Sequence, residues 1–442
     1  MTTKTKVFLI SLGCDKNRVD SEEMLGHLAA SGFSFTDDET EADVIVVNTC
    51  CFIDAAKEES IDTILEMAQY KETGKCIRLV VAGCLAERYR EEIAKELPEV
   101  DAVCGVNELP EIVKACLEDS TEEQLSVPAE NPSQERIITT AGYYEFLKIA
   151  EGCNKRCTYC IIPYIRGNYR SFPMEELLAE ARFLASQGVR ELIVVAQETS
   201  IYGKDLYGEY KLPELLKELC RIEELSWIRV LYCYPEDISE EFLQVMAEEP
   251  KICNYIDMPI QHASDRILKR MGRRTNRAQL EEVIGKARRI VPDVVLRTSL
   301  ISGFPGETEE DHAILKEFVE QMKFDHLGVF TYSREEGTPA HDFPEQIDED
   351  VKAARRDELM QLQEKISEEK LAAKEGALLE VLVEGRLPEE DVYVGRTRGD
   401  APDVDGLIYF ECTEELMSGD LVRVKVSKAG QYDLYGIFEE RM

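Results

Sequence analysis

Short apolar runs, each followed by an amphipathic stretch, set the rhythm of the first part of the chain. "KVFLISLGC" precedes "DSEEMLGHLAASGF", "ADVIVVNTC" precedes "DAAKEESIDTILEMAQYK", and "IRLVVAGC" precedes "LAERYREEIAKEL". Three strand–helix units in succession predict a doubly wound α/β domain with a parallel sheet over residues 1–117. The polar, aperiodic segment 118–140 reads as a linker. From Tyr143 the pattern restarts with longer units, whose strands are "YEFLKIAEG", "ELIVVAQ", "WIRVLYCYP", "NYIDMPIQH", "VVLRTSLISGFPGE" and "HLGVFTYS". Six β–α units predict a partial TIM-like (β/α)6 barrel, with its chemistry at the carboxyl ends of the strands. A charged, helical connector, "DEDVKAARRDELMQLQEKISEEKLAAKEG", completes this domain, 141–374. Residues 375–442 turn to short strands ("ALLEVLVEG", "VYVGRTRG", "GLIYF", "DLVRVKVSKA"), which predict a small all-β barrel of OB-like type.

A chain of 442 residues, 44% of them hydrophobic, is long enough for two to three such cores. Its 88 Asp+Glu against 52 Lys+Arg leave a formal net charge of −36. That balance repels bare nucleic acid and attracts a basic partner, and it also serves solubility. No window approaches the roughly 20 apolar residues of a membrane span. The apolar part of "VFLISLGC", Val7 to Leu12, is shorter than the roughly 7–15 residues of a signal h-region and reads as a strand. The expected location is cytoplasmic. There, 14 cysteines point to metal ligation rather than a disulfide framework.

"EGCNKRCTYC" places Cys153, Cys157 and Cys160 in a C-x3-C-x2-C loop just after the first barrel strand. Zinc sites close with four ligands, often two C-x2-C pairs, and no second pair follows. Two fillings stand: a small zinc knuckle that recruits a distant ligand, or a four-iron cluster on three thiolates with one iron open. Five histidines, none paired at metal spacing, argue against a histidine-based site. A second triplet is spread through the first domain. Cys14, Cys50 and Cys84 each end one predicted parallel strand, where a doubly wound sheet forms its ligand crevice. Cys51, one residue out of step with Cys50, and Cys104, at the end of a short fourth strand, are reserve ligands. Cys76, Cys116, Cys220, Cys233, Cys253 and Cys412 show no metal spacing and read as core or surface residues.

The C-x3-C-x2-C loop, with the aromatic Tyr159 before its last cysteine, resembles the radical S-adenosylmethionine (SAM) superfamily. The resemblance implies that the amino and carboxylate groups of the cosubstrate chelate the open iron. It also implies that an electron passed through the cluster cleaves the sulfonium to a 5′-deoxyadenosyl radical. An unactivated C–H bond offers no acid–base route, so the cofactor supplies the radical. "VAQETSIYG" and "TSLISGFPGE", at the second and fifth strands, resemble further superfamily segments. They imply cosubstrate contacts from Gln197, Glu198, Arg297 and Ser299, alongside Tyr159.

A strand-end cysteine triplet, a radical SAM barrel and a small C-terminal (TRAM) barrel together resemble the methylthiotransferases over essentially the whole chain. The resemblance implies two 4Fe-4S clusters, one radical-generating on Cys153, Cys157 and Cys160 and one on the sulfur side on Cys14, Cys50 and Cys84. SAM then serves as both methyl donor and radical source, no general base is required, and an electron donor such as flavodoxin or ferredoxin is implied. Known branches modify a transfer RNA adenosine or the β-carbon of an aspartate in small-subunit ribosomal protein twelve. "SLGCDKNRVDSE", "MPIQHASDRILKRM", "YSREEGTPA" and "GRTRGDAPDVDG" resemble the protein-modifying branch; the transfer RNA branch has a basic residue at Glu335–Glu336. Residues 376–442 carry 15 Asp+Glu and 7 Lys+Arg, a net of −8. An RNA-serving barrel should be basic, whereas this one suits a Lys/Arg-rich protein with no direct dependence on nucleic acid. Phe172 in "YRSFP" departs from the basic residue the family leads one to expect. A catalytically inert, zinc-stabilised ribosome-binding module is the reading from another class.

Overall fold

The computed structural model describes residues 5–117, 136–388 and 390–442. Most of the expected linker, 118–135, therefore lies outside the described residues. The chain forms two compact units. One comprises Met1–Thr139, Phe146–Phe183 and Ser333–His341; the other comprises Thr140–Glu145, Leu184–Tyr332 and Asp342–Met442.

In the first unit β1 (Lys6–Ser11), β2 (Ser34–Phe35), β3 (Val44–Thr49), β4 (Arg78–Gly83) and β5 (Ala102–Cys104) form one parallel sheet of order β2-β1-β3-β4-β5. Helices α1 (Asp15–Ala30), α2 (Asp54–Ala68), α3 (Tyr70–Thr73) and α4 (Cys84–Arg88) connect the strands. Central β3 reads VIVVNT and is buried along its whole length, as a parallel strand covered on both faces must be. The two-residue period of the strands sorts its side chains. Ile45 and Val47 pack with Leu79 and Val81 against Ile64 and Met67 of α2. Val44 and Val46 pack with Val80 and Ala82 against Met24 and Leu28 of α1. The doubly wound expectation holds. Strand β2 escaped the pattern because two residues are too few to display a period.

Strand β6 (Tyr144–Lys148) leads into β7 (Ala150–Glu151), which pairs antiparallel with β8 (Arg170–Ser171). In the second unit β9 (Glu191–Val195), β10 (Trp227–Val230), β11 (Ile252–Asp257), β12 (Val295–Ser302) and β13 (His326–Thr331) run parallel in chain order. With β6 they make the open six-stranded sheet of the expected partial barrel. The connector is helical over Glu349–Ala372. After it, β14 (Leu378–Arg386), β15 (Val392–Thr397), β16 (Ile408–Glu411), β17 (Leu421–Ala429) and β18 (Leu434–Arg441) close into a five-stranded barrel of order β14-β15-β16-β18-β17. Val422, Val424 and Val426 alternate inward along β17. Closure removes the free edges an antiparallel sheet would otherwise expose. Strand β18 was not predicted; Gly436 and a run of charge obscure its alternation. Among the described residues no helix is long and apolar enough to cross a membrane.

A buried ion cluster ties the two sheets of the second unit. Glu191 of β9, with no exposed surface, accepts from Arg229 Nε of β10 and from an Arg396 terminal nitrogen of β15, both at 2.7 Å. Burial alone would raise the Glu191 carboxyl, but the two guanidiniums outweigh it and hold the group below the ordinary carboxylate range. Its stabilising contribution is therefore complete above the unfolded-state value of about 4.3 and is lost as pH falls below it. Removing one partner of a buried pair strands the other charge. Glu191→Gln is expected to lower stability by about 3–5 kcal/mol in urea unfolding at neutral pH, with a smaller loss in acid.

Candidate metal centre

The order β2-β1-β3-β4-β5 changes direction between β1 and β3, the topological switch point where doubly wound sheets place ligands beyond their carboxyl ends. Three of the strands deliver a cysteine there. Cys14 precedes α1 as its N-cap, Cys50 follows β3 directly, and Cys84 opens α4. Two glycines make the approach possible. Gly13 and Gly83 adopt φ of +88° and +90°, in the region that favours glycine. A Cβ on Gly13 would lie 2.7 Å from Cys50 Cβ, and one on Gly83 would lie 2.6 Å from the Thr49 carbonyl oxygen.

Hydrogen bonds then pin the strand ends. Asn17 Nδ2 donates to the carbonyls of Leu12 and Thr49, each at 2.9 Å. Asn48 Nδ2 donates to the Asn17 carbonyl and to Ser21 Oγ, each at 2.8 Å, and Thr49 Oγ1 donates to the Ala82 carbonyl at 2.5 Å. Cys14 is exposed, whereas Cys50 and Cys84 are buried. The three lie within electrostatic reach of one another: Cys50 senses Cys14, and Cys84 senses both. Burial pushes the Cys50 and Cys84 thiols up, and the Arg166 guanidinium pulls both down.

Of the two reserve cysteines, Cys51 shares a core cluster with Cys84 and lies within electrostatic reach of it. Cys51 is fully buried among Ile64, Val81 and Leu85, where burial pushes its thiol up to about 12. Cys104 does end β5, but its sulfur bonds the Glu108 carbonyl at 3.2 Å within the core on the α1 side of the sheet.

Cys153, Cys157 and Cys160 sit on the loop that β7 and β8 close at its base. The Cys153 amide donates to the Gly167 carbonyl at 3.1 Å, the Tyr169 amide donates to Asn154 Oδ1 at 3.1 Å, and the Cys160 amide donates to the Cys157 carbonyl at 3.0 Å. Gly152, at φ +77°, leaves room for the carbonyls of Gly167 and Asn168. Cys153 and Cys157 are buried; Cys160 and Tyr159 are half-buried. Ile161 and Ile165 pack into the same core as Val81 and Leu85. Both cysteine triplets thus belong to one compact unit although they lie far apart in the chain.

Segment 333–341 belongs to that unit as well. Glu335 is buried between Lys57 Nζ at 2.9 Å and an Arg88 terminal nitrogen at 3.2 Å, and the Ala340 amide donates to the Thr158 carbonyl at 2.8 Å. Of the acidic pair Glu335–Glu336, only Glu336 is exposed; Glu335 neutralises two cations of the first sheet's helices.

The remaining predicted residues lie in the second unit. Gln197 and Glu198 follow β9, and Glu198 is fully buried. Arg297 and Ser299 share the partly exposed face of β12, while Leu296, Thr298 and Leu300 occupy its buried face. The Arg297 guanidinium is held by Asp257 at 2.9 Å and Asp405 at 3.5 Å.

Sequence reading missed Arg166, which is almost wholly buried. One terminal nitrogen donates to Asn17 Oδ1 at 2.5 Å, Asp20 at 2.8 Å and Cys84 Sγ at 3.7 Å; the other lies 3.0 Å from both Glu151 oxygens. An arginine directly after the apolar turn Ile162–Ile165 carries no signal of its own, because its partners are distant in sequence. Among the described residues no three Cys, His, Asp or Glu side chains are arranged to hold a single metal ion. The donor chemistry fits thiolate-bound iron: two sets of three cysteines, and a buried cation beside Cys84 that favours its thiolate.

Residues 6–105 match an uncharacterised protein family designated UPF0004, residues 147–319 match the radical SAM superfamily, and residues 376–438 match the TRAM domain. The open six-stranded sheet and the cysteine loop therefore define a radical SAM protein. Among solved structures, the radical SAM methyltransferase TsrM from Kitasatospora setae superposes with a TM-score of 0.55 over 76% of this chain and 77% of its own, at 15% identity, a likeness of fold. The chain is 56% identical over 439 residues to the ribosomal protein uS12 methylthiotransferase RimO of Lachnoclostridium phytofermentans, covering 98% of this chain and all of that protein. It is 52% identical to the corresponding protein of Acetivibrio thermocellus over 98% of each chain. The chain belongs to the ribosomal protein uS12 methylthiotransferase family.

Gly83 holds φ +90° and ψ −153° immediately before Cys84, a region essentially reserved for glycine. Gly83→Ala is expected to cost at least about 1–3 kcal/mol, read as a lowered thermal unfolding midpoint, and to displace the Cys84 thiol.

Proposed function

We propose that this enzyme transfers a methylthio group to the β-carbon of an aspartate in ribosomal protein uS12, the small-subunit protein twelve. Identity of 56% to a uS12 methylthiotransferase along the full chain carries this reading. Cys153, Cys157 and Cys160 hold the radical-generating cluster, and Cys14, Cys50 and Cys84 hold the sulfur-side cluster. When bound, two 4Fe-4S clusters and SAM supply the radical, the sulfur and the methyl group that no side chain can provide.

The chain's own groups hold, orient and select. The loop closed by β7 and β8 presents three thiols in one turn of chain, with Tyr159 beside the last. Gln197, Glu198, Arg297 and Ser299 contact the cosubstrate. Asp257 keeps the Arg297 guanidinium charged and oriented, a geometry suited to a carboxylate. Residues 1–117 serve the sulfur side, 118–140 link, 141–374 house the radical chemistry, and 375–442 meet the basic substrate through their net charge of −9. A flavodoxin or ferredoxin delivers electrons, nucleic acid is not required, and the reaction takes place in the cytoplasm, where uS12 is made. The acidic C-terminal barrel disfavours the alternative substrate, a transfer RNA adenosine.

Loss of the gene should remove the methylthio mass from uS12 while leaving the nucleosides of transfer RNA unchanged. An unaltered uS12 mass would refute the assignment. After anaerobic reconstitution the chain should hold about eight irons, and Cys14→Ala about four. The Cys14→Ala protein should still cleave SAM but leave uS12 unmodified, whereas Cys51→Ala should keep about eight irons and its activity.

A further inference from the structure

The first unit places a buried cation against the strand-end triplet. Arg166 follows Cys160 by six residues, at the end of the short turn Ile162–Ile165, yet its side chain serves the other cysteine set. Its guanidinium touches Cys84 Sγ at 3.7 Å, and it senses Cys14 as well as Cys84. Arg166 and Lys148 face Asp20 and Glu151, all four buried, and the half-buried Glu23 lies 3.9 Å from Lys148. The neighbouring guanidinium, Arg88, is directed to Glu335 and to the carbonyls of Cys51 and Glu336.

Cys84 also donates its thiol proton to Asn17 Oδ1 at 3.6 Å. Ligation removes that proton, so the donation is lost and the Arg166 N–H to sulfur contact remains. Hydrogen bonds to sulfur and net charge are two of the quantities that set iron–sulfur potentials. An added electron increases the negative charge on the cluster, so an adjacent buried cation stabilises the reduced form.

We infer that Arg166 is a positioning residue for the cluster on Cys14, Cys50 and Cys84, where its hydrogen bond to the Cys84 sulfur and its charge raise that cluster's midpoint potential. The inference rests on the assignment of a cluster to this triplet. It also means that the loop carrying one cysteine set tunes the other.

The test uses the full chain carrying Cys153→Ala, Cys157→Ala and Cys160→Ala, so that only the strand-end cluster titrates. Iron content in this background examines the assignment itself: about four irons support it, and none removes both the assignment and the inference. With the cluster present, its midpoint potential is read by redox titration monitored by electron paramagnetic resonance. Arg166→Gln leaves the carboxylates in excess and should move the potential to a more negative value; Arg166→Lys, which keeps the charge without the guanidinium fork, should move it less. Asp20→Asn removes an anion beside the guanidinium and should move it to a less negative value. If Arg166→Gln takes up no iron, the sign of the Asp20→Asn shift decides. Unchanged potentials, or shifts of the opposite sign, would overturn the role assigned to Arg166.

Discussion

Arg166 cannot be buried alone. An unpaired guanidinium taken out of water costs several kcal/mol, so its burial requires Asp20 and Glu151 at hydrogen-bonding distance. Asp20 lies on α1 of the first sheet, whereas Glu151 lies at the base of the cysteine loop, where β7 meets β8. Satisfying one cation therefore binds the loop to the sheet. Lys148 repeats the constraint from β6, with Asp20 and Glu151 as partners. The apolar contribution points the same way, since Ile161 and Ile165 are buried against the helices and strands that carry Cys84. Ion pairing sets the register of this docking, while apolar burial drives it.

The two cysteine sets are built by different devices. One is a single loop whose shape comes from local backbone bonds, a glycine at Gly152 and a two-residue β pairing. The other is assembled from three strands by sheet topology, and its precision comes from glycines at Gly13 and Gly83 and from Asn17 and Asn48. Asn17 is buried because strand-end carbonyls, having no ladder partner, need a donor, and Asn48 in turn ties β3 to α1 through the Asn17 carbonyl and Ser21. Radical chemistry on an unactivated carbon asks of the protein only that it hold cofactors in place and apart from water. Both devices hold sulfur ligands on rigid supports.

The acidity of the chain has more than one role. Much of it is solvated surface, but Glu191, Asp20, Glu22 and Glu335 are buried against arginines and lysines from distant segments. Glu335 illustrates the consequence. In the fold it is committed to Lys57 and Arg88. A cation at that position would face two others in a buried setting.

Periodicity along the chain was enough to locate nearly every long strand and helix, since apolar alternation is a local property of each element. It determined the doubly wound sheet, the six barrel strands and four of the five strands of the closing barrel; β2 and β18 were too short or too interrupted by charge and glycine. The C-x3-C-x2-C loop was equally local. Cys14, Cys50 and Cys84 could be aligned because strand ends are countable. Tertiary structure alone decided that Cys51 turns into the core, that Cys104 bonds its own loop, and that the cysteine loop belongs with the first sheet. It alone brought Arg166 to Cys84 across 82 residues of chain. Such partners leave no periodic trace, because a buried ion pair depends on which surfaces meet and not on spacing within either segment.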